Sequence, residues 1–189
     1  MRQHRGPFKG RTKAGSSGPG FLLFSKEHVT FFHNLQVKPH MYTLTREQYV
    51  NTTLGEAWDL LKNPANLDLI TPDDLQFQII SPAPEEMFNG LIVEYRIKIP
   101  WFGSHTWIAE IKHIKEMHSF VDEQRIGPYN FWYHYHQIDA ENGRTKLTDR
   151  VYYEVPYSLF GSIIHFFFIR KILERIFDYR KKKLAELLA

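Results

Sequence analysis

At 189 residues, 43% of them hydrophobic, the chain is long enough for one domain with its own core, and the absence of any cysteine excludes disulfides, thiolate zinc sites and cysteine nucleophiles. The formal charge of +3 is uneven: residues 1–40 hold seven of the 24 basic and one of the 21 acidic residues, leaving 17 basic against 20 acidic in 41–189. A mildly acidic body argues against a nucleic-acid platform, no apolar run reaches the roughly 20 residues that span a bilayer, and the lack of cysteine fits a reducing, cytoplasmic setting.

Residues 1–20, MRQHRGPFKGRTKAGSSGPG, are rich in Gly, Ser, Pro and Arg without apolar periodicity and are expected to be disordered. Residues 21–40 have apolar clusters without a clean repeat, the pattern of a loosely docked arm. The folded domain is expected over 41–189, with Met41 a candidate for the native first residue. Tyr42 to Asn51 reads as a strand. Thr53 and Glu56 form a capping box ahead of AWDLL, and Asn63-Pro64 and Thr71-Pro72 each set a cap residue before a proline, so two or three short helices follow.

Strands come next. Gln76 to Ser81 is short. Leu91 to Ile99 alternates Leu91, Val93, Tyr95, Ile97 and Ile99 with Ile92, Glu94, Arg96 and Lys98, one dry face and one wet. Pro100 to Gly103 makes a hairpin with Trp101 and Phe102 at its tip, and His105 to His113 continues the alternation. Gly127-Pro128 breaks the next pair, and Asn142-Gly143 signals a hairpin before TKLTDRVYYEV. Connections this short make an antiparallel meander.

After Pro156 the pattern is helical to the end. Leu159, Ser162, Phe166, Ile169, Leu173, Ile176, Arg180, Leu184 and Leu187 form the stripe of an amphipathic helix, a rod of roughly 45 Å at about 1.5 Å per residue. The order of elements predicts an α+β domain whose curved sheet grips its last helix.

The blocks NLDLITPDDLQFQI, FVDEQRIGPYNFWYHYH, TDRVYYEVP and IFDYR together resemble the bacterial branch of the START-like (SRPBCC) superfamily, which contains polyketide cyclases/dehydrases and coenzyme Q-binding proteins. The resemblance covers about 41–183. It implies a helix-grip fold with a deep pocket between the sheet and the C-terminal helix. The superfamily mixes carriers, sensors and enzymes, so it implies much less about activity.

In the aromatic-histidine block, residues two apart share a face: Trp132, His134, His136 and Ile138 on one, Phe131, Tyr133 and Tyr135 on the other. Both faces are aromatic, and it is the resemblance that turns the Trp132 face inward. Phe120, Asp122 and Gln124 on one neighbouring strand, and Asp149, Val151 and Tyr153 on another, would then face the same space. Three readings stay open: mutually satisfied buried His–Asp pairs, recognition of a ligand's polar head, and acid/base catalysis by His134, His136 and Asp149. No metal is expected, because His-x-His offers two ligands while Asp149, Asp122 and His113 are merely available as a third. No cofactor motif is present.

The expected wall of the pocket therefore includes Tyr95, Trp107, Phe120, Trp132 and Phe166, with Asp122, Gln124, His134, His136, Asp149, Tyr153 and Ser162 as its polar or hydrogen-bonding members. The expected ligand is a hydrophobic or aromatic small molecule. Arg180 is assigned a bland role, snorkelling or pairing with an acid near the rim. Ser158 and Ser162 begin a helix, where capping or packing explains them. Phe160, Ile164, Phe167 and Phe168 lie off the stripe, so the first third of the helix is apolar all round and must be covered. The cover is either the N-terminal arm, another loop or a second subunit, or else a membrane or carrier protein meeting the pocket mouth. A cavity of several hundred cubic ångströms would separate a ligand-binding protein or enzyme from an interaction subunit with a vestigial pocket.

Overall fold

A computed structural model describes residues 41–100, 102–156 and 165–189. The expectations that fall on the leader 1–40 and on Trp101, Ser158, Leu159, Phe160, Ser162 and Ile164 lie outside the described residues.

Strand β1 (Tyr42–Val50) is followed by helix α1 (Leu54–Lys62), two 3-10 segments (Pro64–Ile70 and Asp73–Leu75) and then β2 (Gln78–Ile79). Strands β3 (Leu91–Ile99), β4 (Gly103–Lys115), β5 (Ser119–Ile126), β6 (Phe131–Glu141) and β7 (Arg144–Glu154) form the meander. A π-helical turn (His165–Ile169) leads into helix α2 (Arg170–Leu187). One antiparallel, curved seven-stranded sheet results, in the order β1-β7-β6-β5-β4-β3-β2, with α2 against it: the helix-grip α+β architecture.

Local chemistry accounts for the punctuation. The Thr53 hydroxyl accepts from the Glu56 N–H at 3.2 Å while the Glu56 carboxylate accepts from the Thr53 N–H at 3.0 Å, a capping box worth about 1 kcal/mol. Hydrogen bonds from Thr52 and Thr53 hold the Glu56 carboxyl down to about 2. Asn63 caps the next turn through Ala65 N–H at 2.9 Å. Asn142 (φ 53°) and Gly143 (φ 75°) supply the left-handed pair that a two-residue hairpin requires.

Strand β2 is shorter than expected. Gln76 adopts φ 43° as the C-cap of the 3-10 turn, which uses up residues that the pattern assigned to the strand. Strand β4 is longer, with register irregularities between Ile108 and Ala109 and between Lys112 and Lys115. His113 sits in the second irregularity with φ 55°, exposed, and is not available as a ligand to anything inside.

Helix α2 corrects the expected stripe. Its buried residues are Leu173, Phe177, Arg180 and Leu184, continued by His165 and Ile169 before it and Leu188 after it. Phe166 and Leu187 instead point outward, 60% and 45% exposed. Ile169, Leu173, Arg180 and Leu184 are buried as expected and Ile176 is half-buried; apolar residues flank the stripe on both sides, so period alone misplaced Phe166 and Leu187 by one residue and missed Phe177. Ile169, Leu173 and Phe177 pack against Trp132, Val151 and Tyr153, while Leu184 and Leu188 join Trp58, Val93 and Phe120. Truncating a buried leucine such as Leu184 typically costs about 2–5 kcal/mol. No helix among the described residues is long and apolar enough to cross a membrane.

Candidate functional site

The inner face of β6 carries Trp132, His134, His136 and Ile138, all buried, while Phe131, Tyr133 and Tyr135 face outward or sideways. Register does the rest. Asp122 of β5 lies opposite His134, Phe120 opposite His136, and Asp149 of β7 opposite His136 on the other side. Two imidazoles are thereby held between two carboxylates.

Each ring touches both acids. Asp122 Oδ2 stands 3.1 Å from His134 Nδ1 and 2.8 Å from His136 Nε2. Asp149 Oδ1 stands 2.9 Å from His134 Nε2 and 3.0 Å from His136 Nδ1. The rings form a column: Phe120 stacks on His136 at 4.2 Å, His136 lies tilted against His134 at 3.7 Å, and Phe177 meets His134 edge-on at 5.4 Å. Trp132 Nε1 donates to Asp122 Oδ1 at 3.3 Å.

Arg180 is inside, not at the rim. Its Nη2 lies 3.4 Å from His136 Nδ1 and 3.8 Å from Asp149 Oδ1, and its buried Nε has no partner among the described residues. Burial pushes the Asp149 carboxyl up, but the Arg180 charge and the histidine hydrogen bonds win and hold it well below the usual carboxylate range. Asp122 is likewise held low against burial by His134 and His136. Burial pushes His134 down, and the Asp122 and Asp149 carboxylates reverse that, leaving it raised.

A cavity of about 180 Å³ lies between the inner faces of β3–β6, the segment Leu60–Leu75 and helix α2. Tyr95, Trp107, Phe120, Tyr129 and Trp132 make an aromatic wall; Asp122, His134, His136 and Arg180 close its polar end; Leu173, Ile176 and Phe177 supply the helix side. Trp107 meets Trp132 edge-on at 5.1 Å and Tyr129 at 5.7 Å. The volume falls below the several hundred cubic ångströms that would mark a ligand-binding protein or enzyme off from an interaction subunit; Phe77 and Met87 are also among the side chains that line it.

Not every expected residue reaches the cavity. Asp149 stands behind the imidazoles. Tyr153 is buried beside Trp132, bonded at 2.7 Å to His165 Nε2, and burial pushes its phenol up to about 12. Gln124 faces the turn after β5, donating to the Tyr129 carbonyl at 2.7 Å and accepting from its N–H at 3.3 Å. A Cβ at Gly127 would meet that Gln124 side chain and push it off its bonds to Tyr129. Phe166 is exposed, and Ser162 lies outside the described residues. Tyr129 and Phe177 were not anticipated: one sits in a turn that the sequence marks only as a break, the other one position off the expected stripe.

Fold and cavity together define a helix-grip protein with a small, largely apolar pocket closed by a buried His–Asp–Arg cluster. Solved structures with the same fold include protein Ms6760 from Mycobacterium smegmatis (16% identity over 77% of this chain and 90% of that one, TM-score 0.56) and TTHA0849 from Thermus thermophilus (13%, 78% and 97%, 0.58). A third is major latex-like protein 151 from Panax ginseng (14%, 78% and 97%, 0.59). No family model and no curated protein sequence matches the chain. At these identities the likeness is one of fold.

Proposed function

We propose that the protein binds a small aromatic or hydrophobic molecule in this cavity, with the polar end of the ligand turned toward His134, His136 and Arg180. The observation that carries the reading is an aromatic cavity with one buried polar end, the division of labour expected of a ligand pocket. At about 180 Å³ the space slightly exceeds a cavity of about 150 Å³ that holds one benzene ring, so a one- or two-ring compound fits without rearrangement. Lipids, quinones and larger polyketides require α2 or the 3-10 segments to move outward. An oxygen on the ligand would give the Arg180 Nε–H the acceptor that no described residue supplies.

Apolar contact contributes roughly 25 cal/mol per Å² removed from water and a neutral hydrogen bond about 1 kcal/mol net, so the wall sets affinity and the cluster sets selectivity. Thermal shift and calorimetry over a panel of phenols, naphthols, quinones and fatty acids test this. Trp107→Ala weakens the whole panel, whereas His134→Gln changes which member binds best. A panel that never raises the melting temperature at saturation overturns the reading in favour of an interaction subunit. Native mass spectrometry of freshly purified protein, followed by organic extraction, identifies what it carries.

A second reading is a cyclase/dehydratase-type enzyme, supported by two imidazoles that line the cavity with Asp149 holding both from behind. Turnover of a bound substrate, lost in His136→Gln with binding retained, decides for it. For location we propose the cytoplasm. Phe167 and Phe168, 54% and 47% exposed at the start of the last helix, are the residues we propose for transient contact with a membrane or partner.

A further inference from the structure

We propose that Asp122, His134 and His136 bind a divalent first-row transition-metal ion, with Asp149 orienting both imidazoles from the opposite side. The inference stands independently of whether an organic molecule occupies the cavity. The sequence supplied two ligands and no clear third. Strand register provides it by setting Asp122 against His134, and one ligand atom from each of the three residues lies within 4.8 Å of the others.

The geometry separates the nitrogens into two pairs. His134 Nδ1 and His136 Nε2 both face Asp122 Oδ2, at 3.1 and 2.8 Å; His134 Nε2 and His136 Nδ1 both face Asp149 Oδ1, at 2.9 and 3.0 Å. Ligand atoms about 2.1 Å from an ion and at right angles to one another are about 3 Å apart, which the two N···O distances of the Asp122 set already match, with all three ligand atoms within 4.8 Å of one another. Metal-bound histidines characteristically donate their second N–H to a carboxylate, and Asp149, itself beside Arg180, is placed to accept from both.

Counting donors shows what an ion at this site would replace. A neutral imidazole has one N–H and one lone pair. If each ring gives its N–H to Asp149, both lone pairs point at the Asp122 carboxylate, acceptor against acceptor at hydrogen-bond distance. Adding a proton to each ring removes the conflict but stacks two imidazolium ions 3.7 Å apart, next to Arg180, with only two carboxylates to balance three cations. A single added proton on His134 lets that ring donate to both carboxylates, while neutral His136 donates Nε2–H to Asp122 and its Nδ1 accepts from Arg180 Nη2 at 3.4 Å; this proton-held arrangement is the one an ion has to displace. A divalent cation takes both lone pairs and the carboxylate at once.

The site opens toward the cavity, because Asp122, His134 and His136 line it and Asp149 does not. The rest of that wall is almost wholly hydrocarbon and aromatic, so the ion keeps coordination positions free for water or a ligand oxygen. Imidazole and carboxylate donors without thiolate suit zinc, iron(II), cobalt or nickel, and not copper(I) or calcium.

Full-length, tag-free protein stripped with a chelator and titrated with cobalt(II) tests this by visible absorption and calorimetry. The expected result is one ion per chain, with affinity reduced at least tenfold by Asp122→Asn or His136→Gln and about 10–100-fold by Asp149→Asn. His113→Gln leaves it unchanged. Failure of the wild-type protein to show saturable absorption with several equivalents of cobalt overturns the proposal and leaves a proton-held ionic cluster. Should the variants not fold, proton NMR of the wild-type cobalt form still decides: two exchangeable, hyperfine-shifted imidazole N–H signals are expected, and their absence overturns it.

Discussion

Strands β3 and β6 obey the same rule and bury different chemistry. On β3 the inward positions Leu91, Val93, Tyr95 and Ile97 are all buried and bring one polar atom, the Tyr95 hydroxyl, inside. On β6 the corresponding face reads Trp132, His134, His136 and Ile138, equally buried, with two ionisable rings in the middle. Packing alone would favour hydrocarbon at both places, since buried ions rarely stabilise a fold more than well-packed apolar residues do. The difference teaches where to look: both strands line the cavity, and only β6 of the two brings imidazole rings to it.

The largest effect should come from unbalancing the β6 cluster. Asp149→Ala leaves Arg180 and His134 without their shared carboxylate and is expected to cost about 3–5 kcal/mol in urea unfolding. A loss below 1 kcal/mol would mean that the cluster is solvated and the contrast with β3 is false.

Replacing the cluster as a unit should behave differently. Leucine at Asp122, His134, His136 and Asp149 with methionine at Arg180 is expected to leave stability unchanged or raised by about 1–4 kcal/mol, while ligand selectivity and cobalt binding disappear. That outcome would separate function from folding within a single strand.

Acidity sharpens the comparison further. Asp122 and Asp149 have folded-state values below their ordinary 3.8, so their contribution is present above that value and is lost as pH falls through the folded one. His134 is raised above its ordinary 6.5, so its contribution is complete below 6.5 and is lost as pH rises through its folded value. Chelated wild-type protein should therefore be most stable between these two limits. In the apolar replacement, the part of the pH dependence due to the cluster should vanish from melting curves.

The smallest effect belongs to β3. Ile97→Val removes one methylene from the wall and is expected to cost about 0.5–1.5 kcal/mol, with a slight loss of affinity across all ligands and no change in their order. A change in their order would show that shape at the apolar end also selects.

These two strands also show what was legible in the sequence. Strict alternation, the Thr53–Glu56 capping box and Asn142-Gly143 are local signals, and each produced the element it announced. The inward set on β6 followed once its face was chosen. What was not legible depends on distant partners. The convergence of Asp122 and Asp149 on the two histidines was expected only conditionally, because it depends on the register of β5 and β7 against β6, and the edges of the α2 stripe had to be settled by the surface it packs on. Arg180 was read as a rim residue because a single arginine in an apolar stripe usually snorkels. Nothing local told that two carboxylates and two imidazoles awaited it. Cavity volume depends on side chains from β3–β6, the segment after α1 and α2 together, a quantity that no single segment carries.

The pairing of β1 with β7 has a consequence for how the chain is made. Tyr42 meets Tyr153 and Val50 meets Thr145, so among the described strands the earliest pairs with the latest. At synthesis rates of about 5–20 residues per second, β1 waits roughly 5–20 s for its partner. The histidine strand emerges while β7 is still being synthesised, so Asp122 is within its reach several residues before Asp149 is. During that interval the nascent chain carries an unpaired edge and half of its ionic cluster, which is when a chaperone has most to protect.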